Sequence, residues 1–120
     1  MSDDLILAID QGTSGTKAIL FDDRGQPVAK GFSELRSYYP EMEFVEQKPD
    51  EIYQSVLEAV RICLNGFSNA ASDLQRIKTS GISNQRETFV LWREDGTPLN
   101  DAIVWQCKRS VEICKDRKST

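Results

Sequence analysis

Short apolar runs alternate with polar, turn-forming breaks over the first 35 residues. Residues 5–9 (Leu5-Ile6-Leu7-Ala8-Ile9) are too few and too branched for a helix. Their unbroken apolar character predicts a strand buried on both faces, ending on a carboxylate, Asp10. A polar loop follows, and Ala18-Ile19-Leu20-Phe21 predicts the returning strand of a hairpin. Asp22, Asp23, Gly25 and Pro27 signal a turn, and residues 28–35 resume extended character, so residues 5–35 predict a three-stranded antiparallel meander. Residues 37–48 are aromatic and acidic and read as an ordered surface loop, with no chemistry in them beyond packing.

The period then changes. Pro49 suits the first position of a helix, and Asp50 and Glu51 favour the positive end of its dipole. Ile52, Val56, Ala59, Val60 and Cys63 recur at helical spacing, joined by Tyr53, Leu57 and Leu64, and Gly66 is a suitable cap. The pattern predicts a helix over 49–65, with Cys63 as core filler on its inner stripe. Residues 67–76 form a polar connector with room for one helical turn. Residues 77–83 predict a strand parallel to the first, with the helix as the crossover. Four polar residues interrupt at 84–87, residues 88–92 predict another strand, and Glu94, Asp95, Gly96 and Pro98 mark a turn. Residues 102–105 are a short apolar piece, and 108–118 predict a helix with Val111 and Cys114 inside. The end at Thr120 carries no Gly or Pro stop signal, which suggests a truncated chain rather than a natural terminus.

Composition narrows the class. A chain of 120 residues with 39% hydrophobic residues supports one core and one domain. A net charge of −4, without a basic cluster, argues against nucleic acid as the main partner. No apolar run approaches a membrane span, and Met1-Ser2-Asp3-Asp4 is unlike a signal peptide. The three cysteines form no Cys-x-x-Cys pair, and there is no histidine, so reduced thiols in a cytoplasmic protein are expected rather than a zinc site or disulfides. The missing histidine also removes serine–histidine and cysteine–histidine nucleophile schemes, leaving carboxylates for any proton transfer.

Two stretches carry candidate chemistry. In residues 10–17, Gly12 and Gly15 permit positive φ and close approach of a ligand, and successive N–H groups in such a turn bind anions. The hydroxyls of Thr13, Ser14 and Thr16 add donors, and Lys17 adds a positive charge. Asp10 repels phosphate directly but meets it through Mg²⁺. The spacing is too short for a Walker A loop, and a strand rather than a helix follows. The same residues also suit a tight hairpin whose Gly and Ser serve the turn alone. In the second stretch, Arg86 donates two hydrogen bonds and Glu87 accepts two, which suits a polyol with neighbouring hydroxyls if the backbone bends there. The Trp105 indole can cover the apolar side of such a ligand. The alternative is a surface ion pair in an ordinary turn, contributing about 0–1 kcal/mol.

Residues 9–17 (Ile-Asp-Gln-Gly-Thr-Ser-Gly-Thr-Lys) resemble the first phosphate motif of the FGGY carbohydrate kinases, relatives of actin, hexokinase and the heat-shock chaperones. Residues 81–88 and 102–109, with their Asn-Gln-Arg-Glu-Thr and Ile-Val-Trp-Gln-Cys runs, resemble the glycerol-phosphorylating members in particular. The resemblance covers nearly the whole chain. It implies an α/β, ribonuclease-H-like lobe of the actin-like ATPase superfamily, with a mixed sheet built from the three-stranded meander and a crossover helix. Residues 1–120 would then be the N-terminal part of the first lobe, with the second lobe absent. It further implies transfer of the ATP γ-phosphate to glycerol, giving sn-glycerol 3-phosphate. Asp10 would hold Mg²⁺ through water, Thr13, Ser14, Gly15 and Lys17 would lie at the ATP phosphates, and Arg86, Glu87 and Trp105 would bind glycerol. The family's catalytic base lies beyond Thr120, so residues 1–120 alone are expected to be inactive, and a homo-oligomer is compatible with the full-length protein. Two positions depart from the pattern: Lys17 stands for the usual Arg, and Phe44 for a Trp. A kinase of another sugar or polyol, or a non-catalytic binding domain keeping the fold, are the alternatives.

Overall fold

The computed structural model describes residues 3–119, with side chains described for residues 3–115. The readings placed on Met1, Ser2 and Thr120 lie outside the described residues. In chain order the elements are β1 (Leu5–Gln11), β2 (Gly15–Phe21), β3 (Pro27–Glu34), β4 (Glu46–Gln47), α1 (Pro49–Asn65), α2 (Ala71–Leu74), β5 (Ile77–Asn84), β6 (Ala102–Ile103) and α3 (Val111–Ser119). The first three strands form the antiparallel meander, and β5 joins β1 in parallel to give a mixed sheet of order β3-β2-β1-β5. No helix among the described residues is long and apolar enough to cross a membrane.

Helix α1 is the crossover. Pro49 starts it, Asp50 and Glu51 sit in its first turn, and the Gly66 N–H closes it on the Ile62 carbonyl at 3.1 Å. It packs on one face of the sheet, where Leu5, Leu7, Ile9, Ala18 and Leu20 meet Ala59 and Cys63. The burial of β1 therefore alternates, and it is not buried on both faces as its unbroken apolar run predicts. Ile6 is 42% exposed and lines an open hollow with Ala8, Ile19 and Ile82. The one helix layer covers a single face of β1 and β2, so only one side chain in two is covered there, while β5 is exposed on both faces beyond Ile77.

The inner stripe of α1 differs from the predicted one. Its buried residues are Ser55, Ala59 and Cys63, whereas Tyr53 and Leu57 are exposed. Small side chains win because the helix lies almost on the backbone of β3. A Cβ added to Gly31 would sit 2.6 Å from the Cys63 nitrogen and collide with the Ala59 carbonyl oxygen. One turn earlier, the Ser55 hydroxyl meets Thr16 Oγ1 at 2.8 Å in a buried hydrogen bond.

Three further expectations change. Residues 88–92 are not a strand: Phe89 bridges Ile103 and Trp92 bridges Pro98 singly, within a narrow loop closed by Arg93 N–H to the Thr97 carbonyl. Residues 37–48 are not merely a loop, because β4 pairs with β6, Glu46 opposite Ile103 and Gln47 opposite Ala102. Helix α3 starts at Val111, and Cys114 is exposed on it rather than inside.

The Gly31 contact yields a stability test. Gly31→Ala must push α1 off β3, because both colliding atoms are backbone. We expect a loss of about 1–3 kcal/mol in urea denaturation, with the circular-dichroism helix signal kept at zero denaturant.

Candidate functional site

The loops after β1 and β5 form the two walls of one cleft. Parallel pairing sets Asp10 beside Ser83 and Gln11 beside Asn84, so both strands release their chains at the same edge of the sheet. A cleft of ≈ 370 Å³ opens there, lined by Asp10, Gln11, Gly12, Thr13, Asn84, Gln85, Arg86, Glu87 and Trp105. That is within the span of about 300–1,000 Å³ usual for small-molecule sites.

On the first wall, the Gly12 N–H closes the hairpin on the Gly15 carbonyl at 2.8 Å. Neither Gly12 nor Gly15 has positive φ, so backbone freedom is not why they are glycine. Gly15 is needed for space: a Cβ there would lie 2.7 Å from the Phe32 ring and strike the Ser33 carbonyl oxygen. Thr16 is not a ligand donor, being wholly buried with its hydroxyl on Ser55. The Asp10 carboxylate is exposed and makes no ion pair or hydrogen bond among the described residues. A free hard-oxygen donor beside backbone N–H groups fits Mg²⁺, which needs only one or two carboxylates when phosphates and waters complete its shell. No cluster of three or more metal-ligating side chains exists among the described residues.

On the second wall, the backbone bend that Arg86 and Glu87 require is present. Glu87 has φ +65°, the left-handed region that a residue with a Cβ seldom occupies. Trp105 is half exposed, and its indole Nε1–H donates to Thr13 Oγ1 at 2.8 Å, tying one wall to the other.

The predicted site residues are thus only partly brought together. Asp10, Thr13, Arg86, Glu87 and Trp105 share the cleft. Ser14 faces a neighbouring hollow with Phe32, Ser37 and Gln106. Gly15 is buried in β2, and Lys17 opposes Asp10 across β1–β2 and lines the apolar hollow on the far side of Asp10. Asp10 stands on the border of both hollows.

Sequence reasoning missed Gln47. It is fully buried, donates from Nε2 to the Thr13 carbonyl at 2.8 Å and to Ser37 Oγ at 3.1 Å, and accepts from Gln85 Nε2 at 2.9 Å. The signal was the two-residue step from Val45 to Gln47, both buried on one face of a short extended stretch.

A buttress stands behind this wall. The Arg109 guanidinium stacks 4.0 Å over the Phe44 ring, pairs with Glu46, and donates from Nε to Cys107 Sγ at 2.9 Å. Burial pushes the Cys107 thiol up, but hydrogen bonds from the Arg109 side chain and from neighbouring backbone N–H groups outweigh it, leaving the thiol below its ordinary range. The buried Cys63 thiol is pushed the other way, chiefly by desolvation.

Comparison with known proteins places this geometry. The model of the FGGY family of carbohydrate kinases, N-terminal domain, matches residues 5–119. A glycerol kinase of Ligilactobacillus salivarius is 41% identical over 116 residues, covering 96% of this chain and 22% of that protein. The crystal structure of Plasmodium falciparum glycerol kinase with ADP superposes with a TM-score of 0.83 at 28% identity, over 99% of this chain and 24% of that one. A gluconate kinase from Lactobacillus acidophilus superposes with a TM-score of 0.85, but at 22% identity it shows the fold alone. The chain therefore spans about a fifth of the length of the curated relative it matches.

The opposed thiol shifts give an order of reaction. A lowered pKa places thiolate at lower pH, so Cys107 should be alkylated by iodoacetamide at neutral pH while Cys63 stays unmodified until denaturant is added. Peptide mass spectrometry reads both, and Arg109→Met should slow the Cys107 reaction at neutral pH.

Proposed function

Because this chain belongs to the FGGY family of carbohydrate kinases, we propose that it forms the N-terminal part of a kinase that moves the γ-phosphoryl group of ATP to a terminal hydroxyl of glycerol, giving sn-glycerol 3-phosphate. The observation that carries the reading is the single cleft lined by Asp10 and Thr13 on one side and by Arg86, Glu87 and Trp105 on the other. A phosphoryl donor and a polyol acceptor need such adjacency, because phosphoryl transfer is mostly positioning and charge neutralisation.

Asp10, at the border of the two hollows, would hold Mg²⁺ through water. When bound, Mg²⁺ would supply neutralisation of phosphate charge. Thr13, through its backbone N–H, and Ser14 supply hydrogen-bond donors to the phosphates from the hairpin, and Gly15 keeps that hairpin narrow. Lys17 adds positive charge on the far side of Asp10. Arg86 donates to two glycerol oxygens, Glu87 accepts from their hydroxyls, and the indole of Trp105 lies along the carbon chain. With Asp10 given to the metal and Glu87 to the acceptor hydroxyls, no residue of this wall is left to take the proton. We therefore assign residues 1–120 to binding and positioning and expect them, alone, to phosphorylate nothing.

A kinase of another sugar or polyol in the same family is the second reading. Glycerol is favoured because the 41% identical relative is a glycerol kinase.

Assayed at its full encoded length, the protein should phosphorylate glycerol with ATP and Mg²⁺ well ahead of xylulose or gluconate. Arg86→Ala should raise the KM for glycerol about 10- to 150-fold, as loss of a charge-assisted pair of hydrogen bonds implies, with little change in Tm. Among the described residues Arg86 makes no ion pair, so a lower Tm with unaltered glycerol kinetics would show it to serve only the fold of its loop. Asp10→Asn should lower kcat and raise the Mg²⁺ concentration needed for half-maximal rate.

A further inference from the structure

Resting on the reading just given, we propose that Gln47 is a positioning residue that locks the phosphate hairpin to the polyol wall, through an amide network that links both substrates' KM values. Its own side chain touches neither side of the cleft's open space. It acts through two neighbours instead.

The network closes with donors and acceptors matched. Gln47 Nε2 uses its two hydrogens on the Thr13 carbonyl and Ser37 Oγ. Its Oε1 accepts one hydrogen of Gln85 Nε2, and Gln11 Oε1 accepts the other at 3.3 Å. Gln85 Oε1 accepts from Thr88 Oγ1 at 2.9 Å and from Thr13 Oγ1 at 3.4 Å. Thr88 Oγ1 accepts in turn from the Trp105 backbone N–H at 3.1 Å, and the Trp105 indole returns to Thr13. Four segments far apart in sequence, at 11–13, 47, 85–88 and 105, are thereby fixed to one another. No buried side-chain nitrogen or oxygen among the described residues lacks a partner.

Such a network has few ways to adjust. Each amide has its orientation set by the next, and a buried group that loses its partner is costly to leave unpaired. Moving Gln85 shifts Thr13, which faces the phosphates, and Thr88, which holds Trp105 over the polyol. A disturbance entered at either end should therefore appear at both substrates. A residue that merely packs would alter Tm and the active fraction, not both KM values.

The test uses the protein at its full encoded length, with glycerol and Mg·ATP varied separately. Gln47→Met keeps the length of the side chain and removes its hydrogen bonds. It should raise the KM for glycerol and the KM for Mg·ATP together, each about 3- to 10-fold. Thr88→Val is nearly isosteric, sits at a less buried place, and removes hydrogen bonds only to Gln85 and the Trp105 backbone, none to residues 12–15. It should raise the KM for Mg·ATP by about twofold or more, although it lies on the polyol wall; this variant serves even if Gln47→Met fails to fold. The proposal is overturned if Thr88→Val moves only the glycerol KM, or if a folded Gln47→Met changes Tm and neither KM. Wild-type protein that phosphorylates glycerol while the variants behave in either of those ways leaves the kinase reading standing and removes the role of Gln47. Wild-type protein that turns over no polyol removes both.

Discussion

The parallel pairing of β1 with β5 is the constraint from which the rest follows. Two parallel strands end at the same edge, so whatever leaves their carboxyl ends is brought together without any further device. Antiparallel pairing would have sent residues 84–87 to the opposite end of the sheet, far from Gly12 and Thr13. Parallel pairing needs a crossover, and α1 supplies it. The crossover must lie close to the sheet, which is why Gly31 faces the backbone at Ala59 and Cys63 and why the buried stripe of α1 is made of small residues. Chemistry at the edge and small residues in the core are two results of one topological choice.

That edge is costly to hold. Glu87 sits at φ +65°, a conformation costing of order 1–3 kcal/mol for a residue with a side chain. The carboxyl ends of the strands also carry three glutamines, two of them buried. Both features persist because the surrounding hydrogen bonds over-determine the geometry: Gln85 is held from four sides, and the Trp105 indole spans the gap. Strain and buried amides sit together at the cleft, whereas the helix-covered face of the sheet is hydrocarbon apart from the Thr16–Ser55 hydroxyl pair. The offset is local, which keeps the two walls rigid relative to each other.

Much of this was legible in the residues. The meander, the crossover helix with its first residue at Pro49, and the parallel return strand follow from period and punctuation, and the structure has all of them. The family also follows from the motifs at 9–17, 81–88 and 102–109. What was not legible depended on distance rather than pattern. Periodicity ranks Tyr53 and Leu57 as core because they are large and apolar, yet only small residues fit where the helix nearly touches β3. A pair of two-residue strands, β4 and β6, offers too short a pattern to register. Gln47 lies on one of them, so an amide that holds the cleft was hidden in a stretch read as packing. Thr16 was taken for a phosphate donor because it lies among donors, but strand alternation turns it to the other face, onto Ser55.

The same alternation divides labour within β1 and β2. Leu7, Ile9, Ala18 and Leu20 face α1, while Asp10 and Lys17 face away from it, opposite one another in register. A one-residue slip of either strand would bury its charge beneath the helix and expose its core residues. The hydrophobic face thus fixes where both charges stand: Asp10 where the hairpin and the bend at Glu87 converge, and Lys17 on its far side. Asp10 needs no partner of its own in the protein to be placed, since the leucines on the other side of the strand place it. A carboxylate placed by the packing of its strand rather than by its own hydrogen bonds keeps both oxygens free to meet whatever enters the cleft.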